Sequence, residues 1–98
     1  MTALNGKSAV VAAGAKNLGG LVSTQLAHRG VNVAVHYNSA GTEADADRTV
    51  QAVEEAGARA IKVQGDLTVP GNVAKLFEAA ADAFGGVDIA VNTVGKVL

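Results

Sequence analysis

The 98-residue chain has no cysteine and no tryptophan, and only one proline, one methionine and one tyrosine. Without cysteine it can form neither disulfide bonds nor thiolate metal sites, which is compatible with a reducing compartment. Excess charge of either sign is also lacking. Eight basic residues face nine acidic ones, a formal net charge of -1. That balance leaves no broad electrostatic footprint for nucleic acid or an anionic membrane, so neither is expected as a partner. No apolar segment approaches the roughly 20 residues of a membrane span. The N-terminus shows no signal-peptide pattern, and a soluble, cytoplasmic protein is expected. This length fits one domain, which at this size buries roughly 60–65% of its unfolded surface.

Glycine and small apolar residues are abundant, and their order along the chain is informative. An apolar run over Ser8 to Ala12 ends in Ala13-Gly14-Ala15-Lys16-Asn17-Leu18-Gly19-Gly20 and passes directly into a helical pattern. A strand, a glycine-bearing turn and a helix start make a phosphate-binding corner. Unpaired N–H groups and aligned peptide dipoles at the helix start favour an anion there.

The hydrophobic period then switches regularly. Leu18, Leu21, Val22 and Leu26 lie on one side of a helix over 18–29, with His28 and Arg29 in its last turn and Gly30 as its stop. The β-branched stretch Val31 to Tyr37 predicts a second strand. A loop follows, with Thr42 able to cap a helix running from about Glu43 to Ala56, its Ala46, Val50 and Val53 facing inward. Ala60 to Gln64 predicts a third strand. Asp66 to Pro70 predicts the turn into a third helix, with Thr68 as its cap and Pro70 in its first turn. Val73, Leu76, Phe77, Ala80 and Phe84 form that helix's apolar stripe, Gly85-Gly86 ends it, and Val87 to Asn92 predicts a fourth strand.

The order β-α-β-α-β-α-β implies an α/β fold. It predicts a Rossmann-type, doubly wound parallel sheet of four strands and three helices, joined by right-handed crossovers. Ligands of such sheets sit beyond the carboxyl ends of the strands, where the strand order reverses. The loops at 13–20, 36–42, 65–69 and 92–96 occupy those ends, and the unusual polar and glycine residues collect in them.

These features resemble the cofactor-binding half of the classical short-chain dehydrogenase/reductases. The family patterns are T-G-x-x-x-G-x-G, then an Asp-(Val/Leu) pair, then N-N-A-G. They are matched in order by the glycine turn, by Gly65-Asp66-Leu67-Thr68 and by Asp88-Ile89-Ala90-Val91-Asn92-Thr93-Val94-Gly95. The resemblance covers essentially all 98 residues, as the N-terminal part of a single NAD(P)-binding domain. Four departures stand out: Ala13 replaces the usual Thr, Leu18 the middle glycine, and Thr93 and Val94 the second Asn and the Ala.

The resemblance implies a dinucleotide bound by Gly14, Lys16, Asn17, Leu18, Gly19 and Gly20 at the glycine turn. Asp66 would bind the adenine amino group with Leu67 beside the ring, and Asn92, Val94 and Gly95 would lie against the adenosine ribose. Each has a plainer reading: glycines that only serve a tight turn, a turn carboxylate, a polar strand end, a solvated lysine. The loop after the second strand bears on cofactor choice. An NAD site puts an acid there for the ribose 2′-hydroxyl. This chain has His36-Tyr37-Asn38-Ser39 and no acid before Glu43. Asn38 and Ser39, with Tyr37 and Lys16 nearby, can serve a 2′-phosphate that a carboxylate would repel, so NADP(H) is favoured over NAD(H). His36 is read as an interior-facing strand residue and not as an acid–base catalyst.

No catalytic residue is assigned. The resembled family uses a Ser, a Tyr and a Lys four residues after the Tyr, all placed beyond the fourth strand. The single tyrosine, Tyr37, is followed four positions later by Gly41. These 98 residues alone are therefore not expected to turn over. The fourth strand would be left as an open edge, so homo-oligomerisation, a complementing C-terminal half on a second chain, or a stretch cut from a longer protein is expected. Two function classes remain: the NADP(H)-binding half of a reductase acting on a ketone or alcohol, and a non-catalytic nucleotide-binding or assembly module. A phospho-acceptor domain is disfavoured because Ala13-Gly14 stand where it needs acids.

Overall fold

A computed structural model describes residues 4–13 and 17–93. Its elements are β1 (Ser8–Ala12), α1 (Asn17–His28), β2 (Asn32–Tyr37), α2 (Glu43–Glu55), β3 (Ala60–Gln64), α3 (Asn72–Phe84) and β4 (Ile89–Asn92), with a single 3-10 turn at Ala40–Thr42 before α2. The four strands are all parallel and lie in the order β3-β2-β1-β4. The chain thus builds outward from β1 through β2 to β3, then crosses back to place β4 on the other side of β1. The order reverses between β1 and β4, where Ala12 pairs with Asn92.

Two apolar clusters hold the layers together. Val11, Val33, Val35 and Tyr37 pack with Ala27 of α1 and with Ala46 and Val53 of α2. On the opposite face Val10 and Ala34 pack with Leu76 and Ala80 of α3. Strand alternation produces this division, since successive side chains point to opposite faces. The strand starts are tied as well: the Asp88 N–H donates to Ser8 O at 2.9 Å, and the Ser8 N–H donates to Asp88 Oδ2 at 3.0 Å. Gly30 ends α1 at φ +84, where any side chain is strained, and a Cβ there would fall 2.2 Å from Asn5 Oδ1 and push that side chain aside.

Five local expectations are corrected. On α1, Leu18 and Leu21 are 61% and 57% exposed, while Gly19, Ser23 and Ala27 are buried. Small residues at four-residue spacing let the helix lie close to the sheet, and the larger leucines turn outward. Thr42 does not cap α2; its hydroxyl donates to Ser39 O and closes the 3-10 turn. Nor does Thr68 cap α3. Its N–H and hydroxyl both donate to Asp66 Oδ1, at 2.9 and 2.6 Å, forming an Asx turn. The helix starts at Asn72 after Gly71, whose φ of +90 suits glycine, so Pro70 lies in the preceding turn and outside the helix. Finally, Val73 and Phe77 stay 45% and 37% exposed, because α3 covers the sheet mainly through Leu76 and Ala80, with Phe84 partly buried beside them.

Candidate functional site

The carboxyl ends of the strands converge on the switch point between β1 and β4. The residue leaving β1, Ala13, has φ +58. That left-handed conformation costs an L-residue roughly 1–2 kcal/mol. It is held from two sides. Its N–H donates to His36 Nδ1 at 2.9 Å, and its carbonyl accepts from the Thr93 hydroxyl at 3.1 Å. The same hydroxyl donates to Ala12 O at 2.7 Å, and the Thr93 N–H donates to Ala12 O at 3.2 Å. The ladder between β1 and β4 is therefore extended past both strands by one threonine.

His36 is 2% exposed and joins three strand ends. Its Nε2 lies 2.6 Å from Gly65 O, beyond β3, while Nδ1 meets the Ala13 amide. A carbonyl can only accept and an amide N–H can only donate. The partners therefore assign the neutral ring with its proton on Nε2. The interior-facing reading of His36 is borne out, and its polar atoms are satisfied within the fold.

Among the other predicted residues, Asn17 begins α1 with φ +55 and is exposed. Gly19 is buried and Gly20 half-buried in the first turn of α1, with their carbonyls accepting from the Ser23 and Thr24 hydroxyls at 2.8 and 2.9 Å. Asn38 and Ser39 are exposed beyond β2. Tyr37 is 5% exposed, and its hydroxyl donates to Glu43 Oε2 at 3.3 Å. Burial, reinforced by the Glu43 carboxylate, pushes the phenol pKa up. Glu43 is further engaged by Lys62, whose Nζ donates to it at 3.0 Å and to Asp47 Oδ1 at 2.6 Å. Hydrogen bonds to Asp47 and then to Glu43 hold the Lys62 ammonium well above its usual range.

Asp66 is exposed after β3, and its bonds from the Thr68 hydroxyl and N–H lower its pKa. Leu67 is half-buried against the α3 cluster. Asn92 ends β4 and is exposed. Gly14, Lys16, Val94 and Gly95 lie outside the described residues. Sequence reasoning missed Thr93 as a bonding residue and Lys62 as the partner of Glu43. Neither carries a local signal, because Thr93 acts across to β1 and Lys62 reaches from β3 to α2.

An apolar groove of about 220 Å3 runs between α3 and the β1–β4 pair. Its rim includes Ala12, Leu67 and Asn92, but its floor descends to Val10 and Ala90 in mid-strand, well below the loops. Among the described residues, no group of three His, Asp or Glu side chains could hold a metal ion, and no helix is long and apolar enough to cross a membrane.

Residues 12–98 match the family described as Enoyl-(Acyl carrier protein) reductase. A 3beta-hydroxysteroid dehydrogenase 1 of Eggerthella lenta is 44% identical over 92 residues, covering 94% of this chain and 34% of that protein. A putative dehydrogenase from Burkholderia cenocepacia, solved with bound NADP, shares 53% identity at a TM-score of 0.91, over 97% of this chain and 36% of that one. A blue fluorescent protein from a metagenomic library, solved with NADPH, shares 36% identity at a TM-score of 0.90, over 99% of this chain and 39% of that one. The chain spans about a third of the length of these relatives. With its parallel sheet, its glycine turn at the switch point and these matches together, the chain belongs to the short-chain dehydrogenase/reductase family and corresponds to its N-terminal, cofactor-binding part.

Proposed function

We propose that this chain binds NADP(H) in preference to NAD(H), as part of an oxidoreductase that moves hydride between the nicotinamide and a ketone or alcohol. The loop after β2 carries the reading. It presents Asn38 and Ser39 to solvent, and the first carboxylate beyond them, Glu43, is occupied by Lys62 and Tyr37. A 2′-phosphate entering there meets hydrogen-bond donors, with the nearest acid in the sequence already paired to a cation. The residues present fit a dinucleotide. Gly19 and Gly20 form the first turn of α1 beside the β1–β4 switch point, where close approach and helix-start donors favour a pyrophosphate. NADP-bound and NADPH-bound relatives of the same fold support this reading.

Each residue then has a part to play. The glycine turn and Lys16 would bind the pyrophosphate, Asn38 and Ser39 the 2′-phosphate, and Tyr37 would pack beneath that loop. Asp66 and Leu67 would meet the adenine, and Asn92, Val94 and Gly95 the ribose. The bound cofactor supplies the hydride; proton transfer to substrate needs groups that none of these residues provides. We place the protein in the cytoplasm, acting with a complementing C-terminal half or as a homo-oligomer.

Titrating the chain with NADPH, NADH and 2′-AMP tests the reading. Saturable binding of NADPH and 2′-AMP, with NADH weaker, is the expected result, and no binding of any of them sinks it. Asn38→Asp places a carboxylate at the 2′-position and should shift the NADPH-to-NADH preference about tenfold or more toward NADH. Unchanged selectivity would remove Asn38 from the site.

A further inference from the structure

Ala13 is where three strand ends meet, and its conformation is one that alanine does not adopt unaided. At φ +58 it departs from the extended β1 strand directly into the glycine turn. Nothing in its own side chain favours that turn. The bonds that hold it come from residues 23 and 80 positions away in sequence. His36 takes the Ala13 N–H on Nδ1 and anchors its other nitrogen on Gly65 O. Thr93 takes the Ala12 and Ala13 carbonyls from the opposite side, across the β1–β4 switch point. Ala13 and Thr93 are also two of the positions at which the chain departs from the family's usual residues. The hydroxyl absent at the end of β1 is present at the end of β4, aimed back at β1.

We propose that His36 and Thr93 are positioning residues for the dinucleotide: together they clamp Ala13 in its left-handed conformation and so fix the direction in which the chain enters the glycine turn. The proposal rests on the dinucleotide reading of the site. Fixing Ala13 removes that residue's backbone freedom before a phosphate binds, and pre-organisation of this kind raises affinity by lowering the entropy lost on binding. Neither side chain needs to touch the ligand. His36 is buried with both ring nitrogens engaged, and the Thr93 hydroxyl is spent on two carbonyls.

The two ends of the imidazole can be separated by substitution. In His36→Asn the side-chain oxygen replaces Nδ1 as acceptor for Ala13, and the link to Gly65 is lost. In His36→Gln the amide nitrogen replaces Nε2 as donor to Gly65, and the acceptor for Ala13 is lost. NADPH affinity should stay within about twofold of the unsubstituted chain in His36→Asn and fall about five- to tenfold in His36→Gln. Thr93→Ser should bind like the unsubstituted chain, and Thr93→Val about threefold more weakly.

Thermal unfolding of each variant confirms that folded protein is compared. Amide hydrogen exchange at Ala13, read on the same samples without ligand, reports the clamp directly. Slow exchange in His36→Asn and fast exchange in His36→Gln support the proposal; equal exchange in the two overturns it, whatever the ligands do. An unsubstituted chain that binds no dinucleotide overturns the reading of the site instead. An unsubstituted chain that binds, with His36→Gln binding equally well, overturns the clamp as a determinant of affinity.

Discussion

The two faces of the sheet are closed in different ways. On one, α1 and α2 together cover Val11, Val33, Val35 and Tyr37, and the strand residues beneath them are buried throughout. On the other, α3 is the only described helix, and it reaches the sheet mainly through Leu76 and Ala80. Val73 and Phe77 on that helix and Ala90 on β4 stay exposed around the apolar groove. The first face distributes its burial over many small side chains from two helices; the second rests on Leu76 and Ala80 of one helix. Robustness to substitution should follow this difference, because a missing side chain is tolerated where several neighbours can close on the space.

Leu76→Ala gives the largest effect. Removing a side chain 2% exposed, the largest buried one on α3, should cost about 2–4 kcal/mol. Val53→Ala on the better-covered face should cost about 1–2 kcal/mol, since fewer methyl groups are lost and two helices can adjust. Denaturant unfolding measures both. Amide exchange locates them: Leu76→Ala should deprotect α3 ahead of α1, while Val53→Ala should loosen the molecule more evenly. Equal losses with equal exchange patterns would break the comparison between the faces.

The architecture was legible in the sequence because each element repeats its own signal over many residues. Switching of the hydrophobic period placed all four strands and all three helices, with the bounds of β1 and β3 unchanged. What was illegible is decided across elements. Of the predicted α1 stripe, Val22 and Leu26 pack on the first cluster, but Leu18 and Leu21 turn outward and the small residues Gly19, Ser23 and Ala27 are the buried ones. The start of α3 depends on Asp66 taking both Thr68 donors, so the threonine that looked like a cap is already committed. At the candidate site, residue types at the strand ends could be read one loop at a time. The bonds joining His36 to Ala13 and Gly65, and Thr93 to Ala12, exist only once the strands are side by side.

Tyr37 tests the well-covered face in solution. It is the only tyrosine and the chain has no tryptophan, so phenolate absorbance reports this residue alone. Burial first, and the neighbouring Glu43 carboxylate second, raise its pKa above 10.0. Folding therefore favours the protonated phenol. That contribution is complete below the unfolded pKa and is lost as pH rises through the higher folded one. Ionisation should be displaced upward in the folded chain and return toward 10.0 on unfolding. Glu43→Gln should remove only part of the displacement, because burial is the larger cause. Titration at or below 10.0 in folded protein would mean that this face is open to water.

The smallest effect belongs to Asp66, whose carboxylate is bonded within its own turn, although the Asn72 side chain of α3 donates to its carbonyl at 2.8 Å and Leu67 packs on the α3 cluster. Its carboxylate accepts from the Thr68 hydroxyl and N–H two residues away, and these bonds lower its pKa below the ordinary carboxylate value. Folding therefore favours the ionised form, a contribution present above the ordinary pKa and lost as pH falls through the lowered one. Thr68→Ala removes the hydroxyl, the largest cause, and should return most of the shift while leaving global stability almost unchanged. The carboxyl carbon resonance of Asp66, followed through an acid titration, measures this. In Leu76→Ala the same titration should stay displaced, because bonds spanning two residues do not need α3 to be seated. If Asp66 instead titrates normally once Leu76 is removed, the turn is held by the helix, and the side on which the adenine is proposed to sit is organised by packing and not by its own local bonds.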